Sequence, residues 1–182
     1  MSVNSLVFWF TGLSGAGKST IADAARRQLE DDGCRVLILD GDDIRGRLHR
    51  HLGFSDSDIK ENNRLISELC AERRAEVDVI MVPIISPFRA SRLAARQLLS
   101  PGFFEVYVEA QVDTVMARDV KGLYSKARAG EIGGMIGVSP DAVPYEAPLN
   151  ADLVISSDAT PAAEAIAAMT GFVRQQLGKR SA

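Results

Sequence analysis

Nine consecutive residues, Gly12-Leu13-Ser14-Gly15-Ala16-Gly17-Lys18-Ser19-Thr20, constrain this chain more than any other stretch. They fit the pattern Gly-x-x-x-x-Gly-Lys-Ser/Thr of a phosphate-binding P-loop. The flanks agree with that reading. Leu6-Val7-Phe8-Trp9-Phe10 is a short apolar run of strand character, and Ile21 to Leu29 is rich in Ala, Arg, Gln and Leu and reads as helix. Glycines let the backbone curl so that successive N–H groups face a phosphate, and the following helix offers its positive end to the same anion. Gly12, Ser14, Gly15, Ala16, Gly17, Lys18, Ser19 and Thr20 are therefore the nucleotide-binding candidates. Lys18 is expected to reach the β- and γ-phosphates, and the Ser19 hydroxyl to ligate Mg²⁺.

Strand-like runs alternate with amphipathic stretches along most of the 182 residues. Five runs read as strands: Leu6–Phe10, Val36–Leu39, Val77–Pro83, Phe103–Val108 and Leu153–Ile155. Helical patterns cover Lys18–Asp31, Asp43–Arg50, Asp56–Glu76, Arg89–Leu99, Val112–Arg118 and Pro161–Leu177. The alternation predicts an α/β fold, a five-stranded parallel sheet with helices on both faces, in a single domain over residues 1–182. Ligands of such sheets bind outside the carboxyl ends of the strands, so residues just after each strand carry most weight.

The excluded classes follow from charge and cysteine usage. A net charge of −3 gives no reason to expect nucleic acid or an anionic membrane as partner. Cys34 and Cys70 have neither metal-ligand nor redox spacing and are expected as reduced thiols. With no run of about 18 apolar residues and no basic-then-apolar leader pattern, the expected compartment is cytoplasmic.

After the second strand comes Asp40-Gly41-Asp42-Asp43-Ile44-Arg45. Carboxylates there, beside a P-loop, suit Mg²⁺-bound water or the proton of a substrate hydroxyl. Asp42 is the candidate for that work, Asp43 reads as a helix cap, and Arg45 lies three residues on toward the same crevice. His49 and His51 lack a ligand pattern and are expected at the surface. Ser55 or Asp56 suits a helix cap, and Phe54 before them reads as either a core staple or a stacking platform. Lys60-Glu61-Asn62-Asn63-Arg64 is either a solvated helix face or a hydrogen-bonding one. After the third strand, Ile85-Ser86-Pro87-Phe88-Arg89 brings Ser86 and Arg89 to the binding edge, where Arg89 suits a phosphate or sulfate clamp. The stretch from about 119 to 148 is long and irregular, basic at one end and glycine-rich at the other. It is expected to form a lid that excludes water from a phosphotransfer.

Taken together these motifs resemble adenylyl-sulfate kinase (APS kinase). They come in that family's order: the P-loop, Asp-Gly-Asp with Arg45, Leu52-Gly53-Phe54-Ser55, Lys60-Glu61-Asn62, Ile85-Ser86-Pro87-Phe88-Arg89, Lys121-Gly122-Leu123-Tyr124, Ala127-Arg128-Ala129-Gly130-Glu131-Ile132 and Pro144-Tyr145-Glu146-Ala147-Pro148. The resemblance implies a P-loop kinase fold with a lid, usually a homodimer, using ATP and Mg²⁺ to phosphorylate the 3′-hydroxyl of adenosine 5′-phosphosulfate (APS). It implies a catalytic set of Lys18, Asp42 and Ser86, the last matching a serine that the family can carry as phosphoserine, and a metal set of Ser19 and Asp42. Acceptor contacts would come from Asp42, Arg45, Asn62, Arg64, Ile85, Ser86 and Arg89, with Phe54 stacking on the base. Lys121, Arg128 and Met135 would belong to the lid, and Arg118 would lie near the ATP base.

The sequence departs from the family pattern on the acceptor side. A second consecutive arginine is missing, since Leu65 follows Arg64. In Glu131-Ile132-Gly133-Gly134-Met135-Ile136-Gly137-Val138, Gly133 replaces a lysine and Met135 replaces a phenylalanine that would sandwich the acceptor's adenine. An aromatic stacking face is worth ~1–3 kcal/mol per base. A different nucleotide-linked acceptor, such as cytidine diphosphoramidate, is therefore an alternative, and a nucleotide-binding module without turnover is a second.

Overall fold

The computed structural model describes residues 5–181. Five strands carry the architecture: β1 (Leu6–Thr11), β2 (Val36–Ile38), β3 (Val79–Pro83), β4 (Phe103–Glu109) and β5 (Leu153–Ser156). They form one parallel sheet in the order β2-β3-β1-β4-β5. Seven helices join them: α1 (Lys18–Asp31), α2 (Gly41–Arg47), α3 (Asp56–Arg73), α4 (Arg89–Leu99), α5 (Val112–Arg118), α6 (Leu123–Arg128) and α7 (Ala162–Ser181).

β1 lies at the centre, and all six of its residues are buried. Its side chains alternate between two cores, as the pleat requires. Leu6, Phe8 and Phe10 face one core, with Ile21, Ala25 and Leu29 of α1 and Met169 and Val173 of α7. Val7 and Trp9 face the other, with Ile66 and Cys70 of α3 and Ala95 and Leu99 of α4. A strand covered on both faces has no polar side, which is why Leu6–Phe10 reads as a continuous apolar run.

The expected fold holds: α/β, parallel, with helices on both faces. Several local expectations need correction. The second helix begins at Gly41, because Asp40 caps it by accepting from the Asp42 N–H at 2.9 Å; Asp43 lies inside the first turn. α6 was not anticipated. Its amino end is held by Asp119, whose carboxylate accepts from the backbone N–H groups of Tyr124 and Ser125, both at 2.9 Å. His49 is buried rather than exposed, its Nδ1 donating to Asn62 Oδ1 at 2.8 Å. Ser55 caps α3, as anticipated, by accepting from the Asp58 N–H.

No helix among the described residues is long and apolar enough to cross a membrane. The strand order brings the carboxyl ends of β1, β2 and β3 side by side, so the loops that follow them share one edge.

Candidate active site

β1 ends at Thr11, and the chain turns at once. Gly12 has φ 141°, and a Cβ there would lie 2.3 Å from the Val108 carbonyl oxygen, so the close passage past β4 demands glycine. Gly17, at φ 103°, caps α1. Ala16 is buried in the core beneath the loop.

Lys18 opens α1 and folds back over the loop, its Nζ donating to Gly12 O at 2.9 Å and Leu13 O at 2.7 Å. Burial pulls its pKa from 10.5 down to about 7, and the neighbouring Lys121 pushes the same way; Asp42 and Asp40 oppose the shift. Ser19 Oγ donates to Asp40 Oδ2 at 2.6 Å. Asp40 thus serves the P-loop with one oxygen and caps α2 with the other.

Across the cleft, α2 presents Asp42 and Arg45. Asp42 is ion-paired with Lys121. The Arg45 guanidinium lies 4.6 Å from the centre of the Phe54 ring and also donates to Gly53 O. Phe54 is 68% exposed, which excludes the core-staple reading and leaves an aromatic face open to the cleft. α3 contributes Asn62 and Asn63 to the cleft wall, so its Lys60–Arg64 stretch is not only a solvated face.

Ser86 closes the inner wall. It sits at φ 45°, a left-handed conformation rare outside glycine, and is almost fully buried. Its hydroxyl donates to Asn63 Oδ1 at 2.6 Å and accepts from Trp9 Nε1 at 3.1 Å. Both hydrogen-bonding roles of that hydroxyl are filled by protein, an arrangement that suits wall-building.

One continuous cleft is lined by Ser14, Gly15, Gly17, Lys18, Ser19, Thr20, Asp42, Arg45, Phe54, Asn62, Ile85, Ser86 and Lys121. Other candidates lie elsewhere. Arg64 points along an exposed helix face, paired with Glu61 and Glu68. Arg89 donates from Nε to Ala147 O at 2.8 Å. Arg118 donates to the Ser157 Oγ and carbonyl at 3.0 and 2.7 Å, which ties α5 to the loop after β5. Arg128 is exposed at the end of α6. Met135 is buried in the core cluster, and its neighbour Ile136 lines the cleft.

In the sequence Asp40 and Asn63 stand out only as members of longer stretches, and Trp9 only as part of a strand. Asp40 was the one with a usable signal, as the first carboxylate after a strand and immediately before a helix. The roles of Asn63 and Trp9 come from a contact between distant segments that no local pattern announces. Among the described residues no three His, Cys, Asp or Glu side chains gather as a metal cage.

Comparison with known proteins gives a consistent result. The family model described as Adenylylsulphate kinase matches residues 4–156. An adenylyl-sulfate kinase of Bacillus velezensis is 44% identical over 174 residues, covering 95% of this chain and 87% of that protein. One of Paraburkholderia xenovorans is 44% identical over 160 residues, covering 88% of each. A solved APS kinase from Mycobacterium tuberculosis, in complex with AMPPNP and APS, superposes with a TM-score of 0.81 at 37% identity, covering 91% of this chain and 95% of that one. A shikimate kinase from Aquifex aeolicus, 12% identical with a TM-score of 0.55, shares the fold alone.

Proposed function

This chain belongs to the adenylyl-sulfate kinase family, and on that premise we propose that it transfers the γ-phosphoryl group of ATP to the 3′-hydroxyl of APS, giving PAPS and ADP, a step of sulfate assimilation. One observation carries the proposal. The P-loop lysine and serine share a single cleft with the carboxylate Asp42, the Arg45–Phe54 pair and Asn62. A triphosphate on one side and a nucleotide alcohol on the other then meet in the middle.

The chemistry follows from the donors present. Backbone N–H groups of Gly15 to Ser19 and the Lys18 ammonium take the phosphate charge. Ser19 and Asp42, with Asp40 beside them, supply the hard oxygens that Mg²⁺ accepts alongside nucleotide phosphates. Held there, Mg²⁺ would supply positive charge against the outer phosphates as negative charge develops on them. Asp42 accepts the proton of the 3′-hydroxyl as that oxygen bonds to the γ-phosphorus. The bond from that phosphorus to the bridging oxygen breaks, and the electron pair leaves with ADP.

Arg45 and Phe54 are suited to the acceptor, the arginine to its anionic group and the ring to its base. On the lid side, Ile136 and Val120 offer aliphatic rather than aromatic contact. Segment 119–148 acts as the lid in this reading. A homodimer in the cytoplasm belongs to the same proposal, the dimer to be checked by sedimentation of the purified protein.

Purified protein with ATP, Mg²⁺ and APS should yield ADP and PAPS in equal amounts. A parallel reaction with cytidine diphosphoramidate should give much slower turnover. Preference for the cytidine conjugate would move the activity to the other acceptor. ATP binding with no turnover of either would leave only a nucleotide-binding module.

A further inference from the structure

Arg92 of α4 is 2% exposed and lies outside the cleft lining, yet all three of its guanidinium nitrogens are used. Nε donates to Glu105 Oε1, Nη1 to Ser86 O and Nη2 to Glu146 O, each at 2.6 Å. Those acceptors belong to three separate stretches: β4, the turn from β3 into α4, and the carboxyl end of segment 119–148. Glu105 is itself largely buried, so the cation is neutralised where it sits. A guanidinium is the one side chain whose rigid fork serves three directions at once.

The two backbone acceptors are mechanically informative. The Ser86 carbonyl belongs to a left-handed residue on the inner wall and also accepts from Thr11 Oγ1 at 3.2 Å. The carboxyl end of segment 119–148 is fastened at the same place. Glu146 N–H donates to Pro87 O at 2.9 Å, Arg89 N–H donates to Glu146 Oε2 at 2.7 Å, and Tyr145 OH meets Thr11 Oγ1 at 2.9 Å. Toward the front, Lys121 pairs with Asp42 and Tyr124 is buried in the core with its OH donating to Ser14 O at 2.7 Å, whereas residues 128–134 are exposed.

We propose that Arg92 is a positioning residue that joins the wall Ile85–Ser86–Pro87 to the rear end of segment 119–148 as one rigid unit. The exposed stretch 128–134 of that segment then closes over the acceptor about a fixed base. Arg92 touches neither substrate. It sets where the acceptor wall stands relative to the closing lid; the P-loop runs from β1 into α1, and only its root touches that wall, through Thr11 Oγ1 and the Gly12 N–H donating to Ile85 O at 2.7 and 3.4 Å. This inference rests on the kinase reading above as far as the acceptor is concerned.

Arg92→Lys keeps the charge beside Glu105 but has one nitrogen for three acceptors, and Arg92→Gln removes the charge. In both, KM for APS should rise tenfold or more and kcat should fall, with the dissociation constant for a non-hydrolysable ATP analogue unchanged within twofold. A folded Arg92→Lys protein with wild-type APS kinetics overturns the proposal. An equal loss of ATP affinity also overturns it, since that marks general loosening. Hydrogen exchange on the unmodified protein gives a second test that needs no variant. The amides of Arg89 and Glu146 should exchange at least tenfold more slowly than those of residues 132–134, and equal rates overturn the idea of a fixed rear end. Wild-type protein that fails to turn over APS would sink the kinase reading and leave the exchange result standing on its own.

Discussion

At the level of single side chains, Lys18 is the most informative residue. Its pKa stands at about 7 in the free fold against an ordinary 10.5, with burial as the largest cause. The sign of the consequence is fixed by linkage. Between these two values the unfolded chain binds more protons, so the free protein should gain stability as pH rises from 7. The penalty of the buried cation is complete below about pH 7 and absent above 10.5. Urea unfolding at pH 7 and pH 9 should show that gain, and Lys18→Met should remove it. A bound triphosphate favours the ammonium and reverses the shift. ATP binding at pH 8.5 should therefore take up close to one proton, readable by calorimetry in two buffers of different ionisation enthalpy and lost in Lys18→Met. Asp42→Ala, with Lys18 intact, should lower kcat by ~10²–10⁴-fold and leave ATP affinity nearly unchanged, as expected for loss of a general base. An unchanged kcat would remove Asp42 from the chemistry. Lys18, Ser19 and Asp42 were readable in the sequence because a motif fixes their spacing. Asn63 was not, since its partner Ser86 is 23 residues away.

Among the elements, the P-loop and segment 119–148 behave differently, and so did their readability. The P-loop depends on glycine at a place where nothing else fits. Gly12→Ala should cost ~2–3 kcal/mol in urea unfolding, from strain at a left-handed φ, together with much of the ATP affinity, because the Val108 carbonyl stands in the way of a methyl group. A variant of wild-type stability would mean that the loop reshapes freely. Segment 119–148 offered family motifs, composition and length, but no periodicity from which to read its local structure. Its helix α6 is six residues long and is organised by Asp119 through a left-handed turn at φ 30°, a tertiary solution that periodicity cannot reveal in so short a window. Met135 shows the same limit. The sequence places it in the lid, but which of two neighbours faces the cleft depends on how the turn from Met135 to Ser139 folds, with the Met135 N–H donating to Ser139 Oγ at 2.8 Å.

For the molecule as a whole, the sheet order decides what meets what. Five apolar runs separated by helical patterns were enough to foresee a parallel sheet covered on both faces. The order β2-β3-β1-β4-β5 was beyond local pattern, yet it is what sets Asp40, Lys18 and Ser86 on one edge, although they come from three loops. The same order threads the chain's single tryptophan through the middle of the sheet. Trp9 is shielded from water, and its indole N–H ends on the hydroxyl of the acceptor wall. The protein thereby carries its own optical probe, hydrogen-bonded directly to the acceptor wall. Emission from Trp9 should change in intensity or wavelength when APS is titrated in, and stay nearly flat with an ATP analogue alone. The order of substrate loading could then be followed by stopped-flow light measurement without attaching a dye.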